Sequence, residues 1–234
     1  MMKQIVVAFN YVSYKDDRRN CNQRVAMKVL SACPRRYVSA VSFDFKDIPE
    51  PDFLKECGIH HLPILKRDSL SIHGNTRRLP YIKDILENCS KITCDVFGYI
   101  NSDILVPMDA YDILQKDFDA YIFSRSDIVE IRAIDFLDKK ARVIYGGDKH
   151  IGADGFFFNK SWWNRNRDKF PPNLILGETE WDTVYRHIIK NSNANYMEKR
   201  MLYHVYHDAK WDINSLGGIN NRKIWDSIKN VRAS

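Results

Sequence analysis

The chain has 234 residues, 44% of them apolar and 28% charged, a composition that suits a folded globular protein and excludes fibrous and disordered classes. Its 36 basic and 30 acidic side chains leave a formal charge of +6 and a pI near 9.0, which favours an anionic partner such as a nucleotide diphosphate, a polyanion or an acidic surface. Five cysteines without a CxxC pair argue for free thiols in a reducing compartment, against a disulfide framework or zinc site, and no run approaches the roughly 18 apolar residues of a membrane span.

Residues 4–10 (QIVVAFN) form a continuous apolar run ended by a polar residue, as in a central parallel strand. The run is too short and wrongly flanked for a signal peptide, so a cytoplasmic chain is expected. Residues 20–31 place Val25, Ala26, Val29 and Leu30 at helical spacing, with Asn20 or Asn22 as N-cap and Pro34 closing the helix. Residues 37–45 read as a second strand, Pro49 and Pro51 open a short helix through Cys57, and residues 59–65 give a third strand despite Pro63. Over residues 76–90, Leu79, Ile82, Ile85, Leu86 and Cys89 line one helical face, with Pro80 in the first turn. Residues 94–106 (CDVFGYINSDILV) are an apolar strand whose end presents Asn101, Ser102 and Asp103. Strands alternating with helices through short connections predict an α/β fold, a mostly parallel central sheet with helices on both faces.

The second half is less regular. A short helix is expected over residues 109–115, a strand over 120–124, and strands over 141–145 and 155–159 around a three-glycine loop, 146–154, where an acceptor could enter. Residues 161–167 hold two tryptophans and two arginines. Residues 180–190 form a helix with Trp181, Val184, Tyr185, Ile188 and Ile189 on its apolar side, residues 201–206 a last strand, and residues 222–229 a short helix. No repeat, linker or composition break interrupts the chain. One domain over 1–234 is expected, with about 1–106 as a nucleotide-binding half and about 107–234 as an acceptor-binding half.

Three clusters could carry chemistry. In open α/β sheets ligands bind outside the carboxyl ends of strands, where Asp103 could hold a divalent cation; Asn, Ser and Asp are equally the residues of a plain turn. The stretch 177–182 (GETEWD) opens a helix, where acids suit the helix dipole. Three acids in six residues exceed what a cap needs, and a carboxylate beside the ring of Trp181 can have its pKa raised toward that of a general base. His204 and His207, three apart on a strand, would point to opposite faces, so one suffices as a ligand; His207 is preferred, with His204 joining it if the strand has already turned. Arg77, Arg78 and Lys83 could contact a diphosphate or simply be solvated, and Asn10 could approach a base or ribose. Trp162, Trp163 and Trp211 could form a stacking platform for a ligand or pack in the core.

Taken in order, the apolar first strand, FGYINSDILV, GADGFFF, GETEWD and HVYHDAKW resemble the nucleotide-sugar-dependent glycosyltransferases of the GT-A fold, over residues 4–211. The resemblance implies a single GT-A-like domain, a nucleotide-sugar donor, a glycan or other hydroxyl acceptor, Mn²⁺ or Mg²⁺, and hexosyl or related transfer, with no nucleic acid partner. It implies that Asn101-Ser102-Asp103 stands for the family's Asp-x-Asp motif, which binds the donor's ribose and the metal. Asn101 lacks the first charge of that motif, leaving Asp103 as the main carboxylate ligand. Glu180 and Asp182 resemble the family's acidic pair, with Asp182 the base of an inverting enzyme, and His207 resembles its late histidine ligand. Two other readings compete: a metal-dependent phosphohydrolase or nucleotidyltransferase using Asp103, Asp182 and His207, and a nucleic-acid-binding module with a basic groove and stacking rings.

Overall fold

A computed structural model describes residues 1–33, 36–74, 77–128, 148–207, 212 and 214–230. Strand β1 (Ile5–Phe9) is buried at every position, as an apolar run covered on both faces must be. It pairs in parallel with β2 (Val38–Phe45) and β4 (Val96–Ile100), and β2 pairs in parallel with β3 (His60–Leu65). Pro63 is tolerated because β3 is an edge strand, with one side free of ladder hydrogen bonds. On the other side of β4, strand β7 (Asp148–Asn159) runs antiparallel, between β4 and β6 (Ala120–Ile128). Strand β8 (Tyr196–Val205) lies parallel to β6, and the two-residue β5 (Ile104–Leu105) pairs antiparallel with β8. The sheet order is β3-β2-β1-β4-β7-β6-β8-β5, in which β5 and β7 oppose the other strands. The expected α/β fold with a mostly parallel sheet is therefore present.

Alternation along β1 divides the core. Ile5, Val7 and Phe9 face one layer with α1 (Asp17–Ser31) and α5 (Met108–Leu114), while Val6 and Ala8 face the other with α4 (Ile82–Cys89), α6 (Lys160–Asn166) and α7 (Trp181–Lys190). Short helices α2 (Asp52–Glu56) and α3 (Ser69–His73), a 3-10 turn (Arg167–Lys169) and α8 (Leu216–Ile228) complete the described elements. Gly98 of β4 is needed where the sheet meets β7: a Cβ there would lie 2.3 Å from the Phe156 carbonyl oxygen.

Several boundaries differ from those expected. Helix α1 starts before Asn20 because Asp16 caps it, accepting from the backbone N–H groups of Arg18 and Arg19; Asn20 instead hydrogen-bonds Tyr14, and Asn22 the Val205 carbonyl. Helix α4 begins at Ile82, since the residue before Pro80 disfavours helix and Tyr81 forms a bridge to Ile175. Strand β7 starts at Asp148, so part of the three-glycine loop is strand, and β8 starts at Tyr196. The C-terminal helix spans Leu216–Ile228, capped by Ser215. Trp162 and Trp163 are core residues: Trp162 stacks on Phe158, and Trp163 packs on Phe97 and Phe170, so neither offers a face to a sugar. Trp211 and the expected strand 141–145 lie outside the described residues. The five cysteines are thiols outside any disulfide among the described residues, and no helix among those residues is long and apolar enough to cross a membrane.

One buried carboxylate makes the fold sensitive to pH. Asp44 in β2 is 3% exposed; its Oδ1 accepts from the Phe45 N–H, and its Oδ2 has no partner among the described residues. Burial pushes its pKa up to about 6 from the ordinary 3.8, against the lowering by that N–H and by His61. The folded state then binds more protons than the unfolded state between those values, so this contribution to stability falls as pH rises from about 4 to about 6 and stays unfavourable above. The total is about 3 kcal/mol, from roughly 1.4 kcal/mol per pKa unit. Asp44→Asn is expected to raise the melting temperature at pH 7 and to flatten that slope relative to the parent, measured by thermal melts at several pH values; parallel curves would contradict this.

Candidate active site

The carboxyl end of β4 is the centre of the site. The chain leaves β4 in a turn, with Ile104 N–H bonded to the Asn101 carbonyl at 3.1 Å, and re-enters the sheet as β5, whose Ile104 lies opposite His204 of β8. This register brings Asp103 to the histidines. Strand β8 ends at Val205, so the chain has turned before His207, and the two imidazoles, expected on opposite faces, instead meet with ring centroids 4.8 Å apart. Asp103 Oδ2 lies 3.1 Å from His207 Nε2 and 3.4 Å from His204 Nε2, and one ligand atom from each of the three residues falls within 4.8 Å of the others. His204 Nδ1 lies 2.8 Å from Asp127 Oδ1, a contact set by the β6–β8 register that pairs those two residues. Asp127 thereby holds the ring with Nε2 toward Asp103.

The electrostatics match this geometry. Burial alone would raise the Asp103 pKa, yet its hydrogen bonds from His204 and His207 and their charge hold it well below the usual carboxylate range. Burial lowers the pKa of His204, but its bonds to Asp103 and Asp127 prevail and raise it. A register shift in β6 near Ser124 precedes Arg125, which bonds Asp127 at 2.9 Å and Asp154 of β7 at 2.6 Å. Asn101 donates to the same Asp154 Oδ1 at 3.0 Å.

The acidic wall comes from the segment entering α7. Asn221 of α8, fully buried, accepts from the Ile175 N–H and donates to the Ile175 and Thr179 carbonyls, fixing this segment. Glu180, the residue before α7, sits at φ 68°, a left-handed conformation that costs a non-glycine residue about 1 kcal/mol or more. Trp181 is buried edge-on against Tyr99 and Phe156, which seats the first turn on the sheet. Asp182 in that turn accepts from the Ala153 N–H at 3.1 Å. Burial raises its pKa, and the charge of Asp154 raises it further against that hydrogen bond.

Asn10, Arg77, Asn101, Ser102, Asp103, Glu180, Asp182, His204 and His207, all expected from the sequence, line one cavity of about 310 Å³, whereas Arg78 and Lys83 do not. Asn10 is anchored by donating to the Phe43 carbonyl at 2.7 Å, and Ser102 by donating to Gln23 of α1 at 2.5 Å. Arg78 is instead paired with Asp47 and Asp68 and lies over the Phe45 ring, and Lys83 donates to the Phe170 carbonyl at 3.0 Å. Neither side chain is part of the lining of that cavity. Arg77 takes the cavity position, donating to the Gly177 carbonyl and Glu178, together with Arg19, whose guanidinium lies 3.8 Å over the Tyr14 ring. Sequence reasoning also missed Arg125 and Asp154. The only signals for Asp154 were its acidity and its place in GADGFFF, just before the apolar run.

The parallel β3-β2-β1-β4 block, the reversed β7 and the polar end of β4 define a fold of the GT-A glycosyltransferase type. Among solved structures it resembles a nucleotide-diphospho-sugar transferase from Desulfovibrio desulfuricans G20, with a TM-score of 0.51 and 12% identity over 97% of this chain and 96% of that one. It also resembles the mannosyltransferase PcManGT from Pyrobaculum calidifontis, solved with GDP-Man and Mn²⁺, at a TM-score of 0.52 and 11% identity over 100% of this chain and 66% of that one. The glycosyltransferase GlyE of Streptococcus pneumoniae TIGR4 gives 0.50 and 14% over 98% of this chain, which spans 61% of GlyE. At such identities the likeness is one of fold. No protein-family model and no curated protein matches the sequence.

Proposed function

We propose that this protein is a divalent-metal-dependent glycosyltransferase that moves a hexosyl or related group from a nucleotide-sugar donor to a hydroxyl of a glycan or other acceptor, with inversion. The observation that carries the reading is the convergence of Asp103, His204 and His207 on the cavity that also holds Asp182. The donor set fits a cation such as Mn²⁺ or Mg²⁺: one carboxylate oxygen and two imidazole nitrogens, with His204 oriented from behind by Asp127. A cation bound there would stabilise the negative charge on the departing diphosphate.

The other roles belong to the chain's own residues. Arg19 and Arg77 place positive charge in the cavity for the diphosphate, and Asn10 and Asn101 border it at the ends of β1 and β4. The acceptor oxygen attacks the anomeric carbon on the face opposite the diphosphate. The bond from that carbon to the phosphate oxygen breaks, and its electron pair leaves with the nucleoside diphosphate. The hydroxyl proton passes to Asp182, whose raised pKa suits a base, while Glu180 adds a second acid on the same cavity. The Mn²⁺ and GDP-Man held by PcManGT support this choice of metal and donor class.

The test is product analysis with Mn²⁺, nucleotide-sugars and hydroxyl acceptors. Free nucleoside diphosphate together with a glycosylated acceptor is expected; release of orthophosphate or nucleoside monophosphate without glycosylated product would favour the phosphohydrolase reading.

A further inference from the structure

Asp154 has one carboxylate oxygen in use and one without a partner among the described residues. Its Oδ1 accepts from Arg125 Nη1 at 2.6 Å and Asn101 Nδ2 at 3.0 Å. Its Oδ2 is buried with no hydrogen-bond partner among the described residues, although the side chain lines the cavity and the residue is only 4% exposed. Buried polar atoms are nearly always paired, and one left over at a cavity wall is the mark of a group that a ligand completes. The carboxylate cannot swing away to find solvent, because Arg125 is itself fixed by Asp127.

The chemistry of the wall narrows what that ligand can be. Glu178, Glu180 and Asp182 line the same cavity, and Arg125, the cation that touches Asp154, is already committed to Asp154 and Asp127, while Arg19 and Arg77 are the cations assigned to the diphosphate. Such a wall accepts hydrogen bonds from hydroxyl groups and repels another carboxylate. We propose that Asp154 is a specificity-determining residue whose Oδ2 accepts a hydrogen bond from a hydroxyl of the transferred sugar, so that the donors taken are neutral hydroxylated sugars and not sugar acids. This rests on the donor reading above and goes beyond it by naming the class of sugar.

The experiment is calorimetric titration of the wild type and Asp154→Asn, in Mn²⁺, with UDP, GDP and dTDP, with the hexose conjugate of whichever base binds, and with the matching uronic acid conjugate. Wild type should bind the hexose conjugate more tightly than the uronate. Asp154→Asn, which keeps an acceptor for Arg125, should bind the free diphosphate as wild type does and lose about tenfold in affinity for the hexose conjugate, as expected for a hydrogen bond to a charged group. Its preference for hexose over uronate should shrink as well. Equal loss for diphosphate and conjugate, or no loss for the conjugate, overturns the proposal while leaving the donor reading intact. If no nucleotide binds wild type, the donor reading fails and this inference falls with it. Should Asp154→Asn not fold, equal wild-type affinity for hexose and uronate overturns the proposal by itself.

Discussion

Asp103→Ala is expected to abolish the metal-dependent part of donor binding and to lower transfer by on the order of 10³-fold, because metal stabilisation of a departing diphosphate contributes several kcal/mol and each 1.4 kcal/mol is about tenfold in rate. Asp103 is the one carboxylate of the three-residue cluster and touches both imidazoles. Without it only two imidazole ligands remain, too few to hold Mn²⁺ against water. The fold should survive, since His204 keeps its bond to Asp127. Titration of donor with and without Mn²⁺, beside a thermal melt, checks both parts. A variant that still binds donor more tightly in Mn²⁺ would remove Asp103 from the metal site.

Asp182→Asn separates binding from chemistry. The amide oxygen can still accept from the Ala153 N–H, so the start of α7 should stay where it is and donor affinity should be unchanged. Transfer should fall by roughly 10²- to 10⁴-fold, the range typical of losing a general base, with the effect in kcat. Burial and the Asp154 charge raise the Asp182 pKa, so the acid limb of the wild-type rate profile should lie above the ordinary carboxylate value, with activity lost as pH falls through it. The variant should lack that limb. An unimpaired rate would move the base elsewhere in the cavity.

The features that could be read from the sequence share a physical basis, and so do those that could not. Apolar runs such as 4–10 and 94–100 announce strands because burial on both faces leaves no room for polar residues, and the polar end of β4 announces the site because it breaks that rule. The parallel block and the helical faces of α4 and α7 follow from periodicity. The pairing that brings β6, β7 and β8 beside β4 is non-local, so the contact of Asp103 with both histidines depends on where β8 ends, which its sequence does not mark. Side-chain direction was the other blind spot. Arg77 and Arg78 are neighbours, and only the extended backbone before Ile82 decides that Arg77 meets the cavity while Arg78 meets Asp47 and Asp68. Asp154 reads as a loop residue until β7 is seen to extend through it, and Trp162 and Trp163 read as either a platform or core until Phe158 and Phe170 are seen against them.

The most direct test of the account is a thermal-shift series of the wild-type protein against UDP-, GDP-, CMP- and dTDP-sugars, each with and without Mn²⁺. A ligand at a hundredfold excess over its dissociation constant stabilises the fold by about 2.7 kcal/mol, which is readily measured. The account predicts that one nucleotide class raises the melting temperature, and that it does so only with Mn²⁺. Stabilisation by single-stranded nucleic acid with no response to any nucleotide-sugar would contradict it.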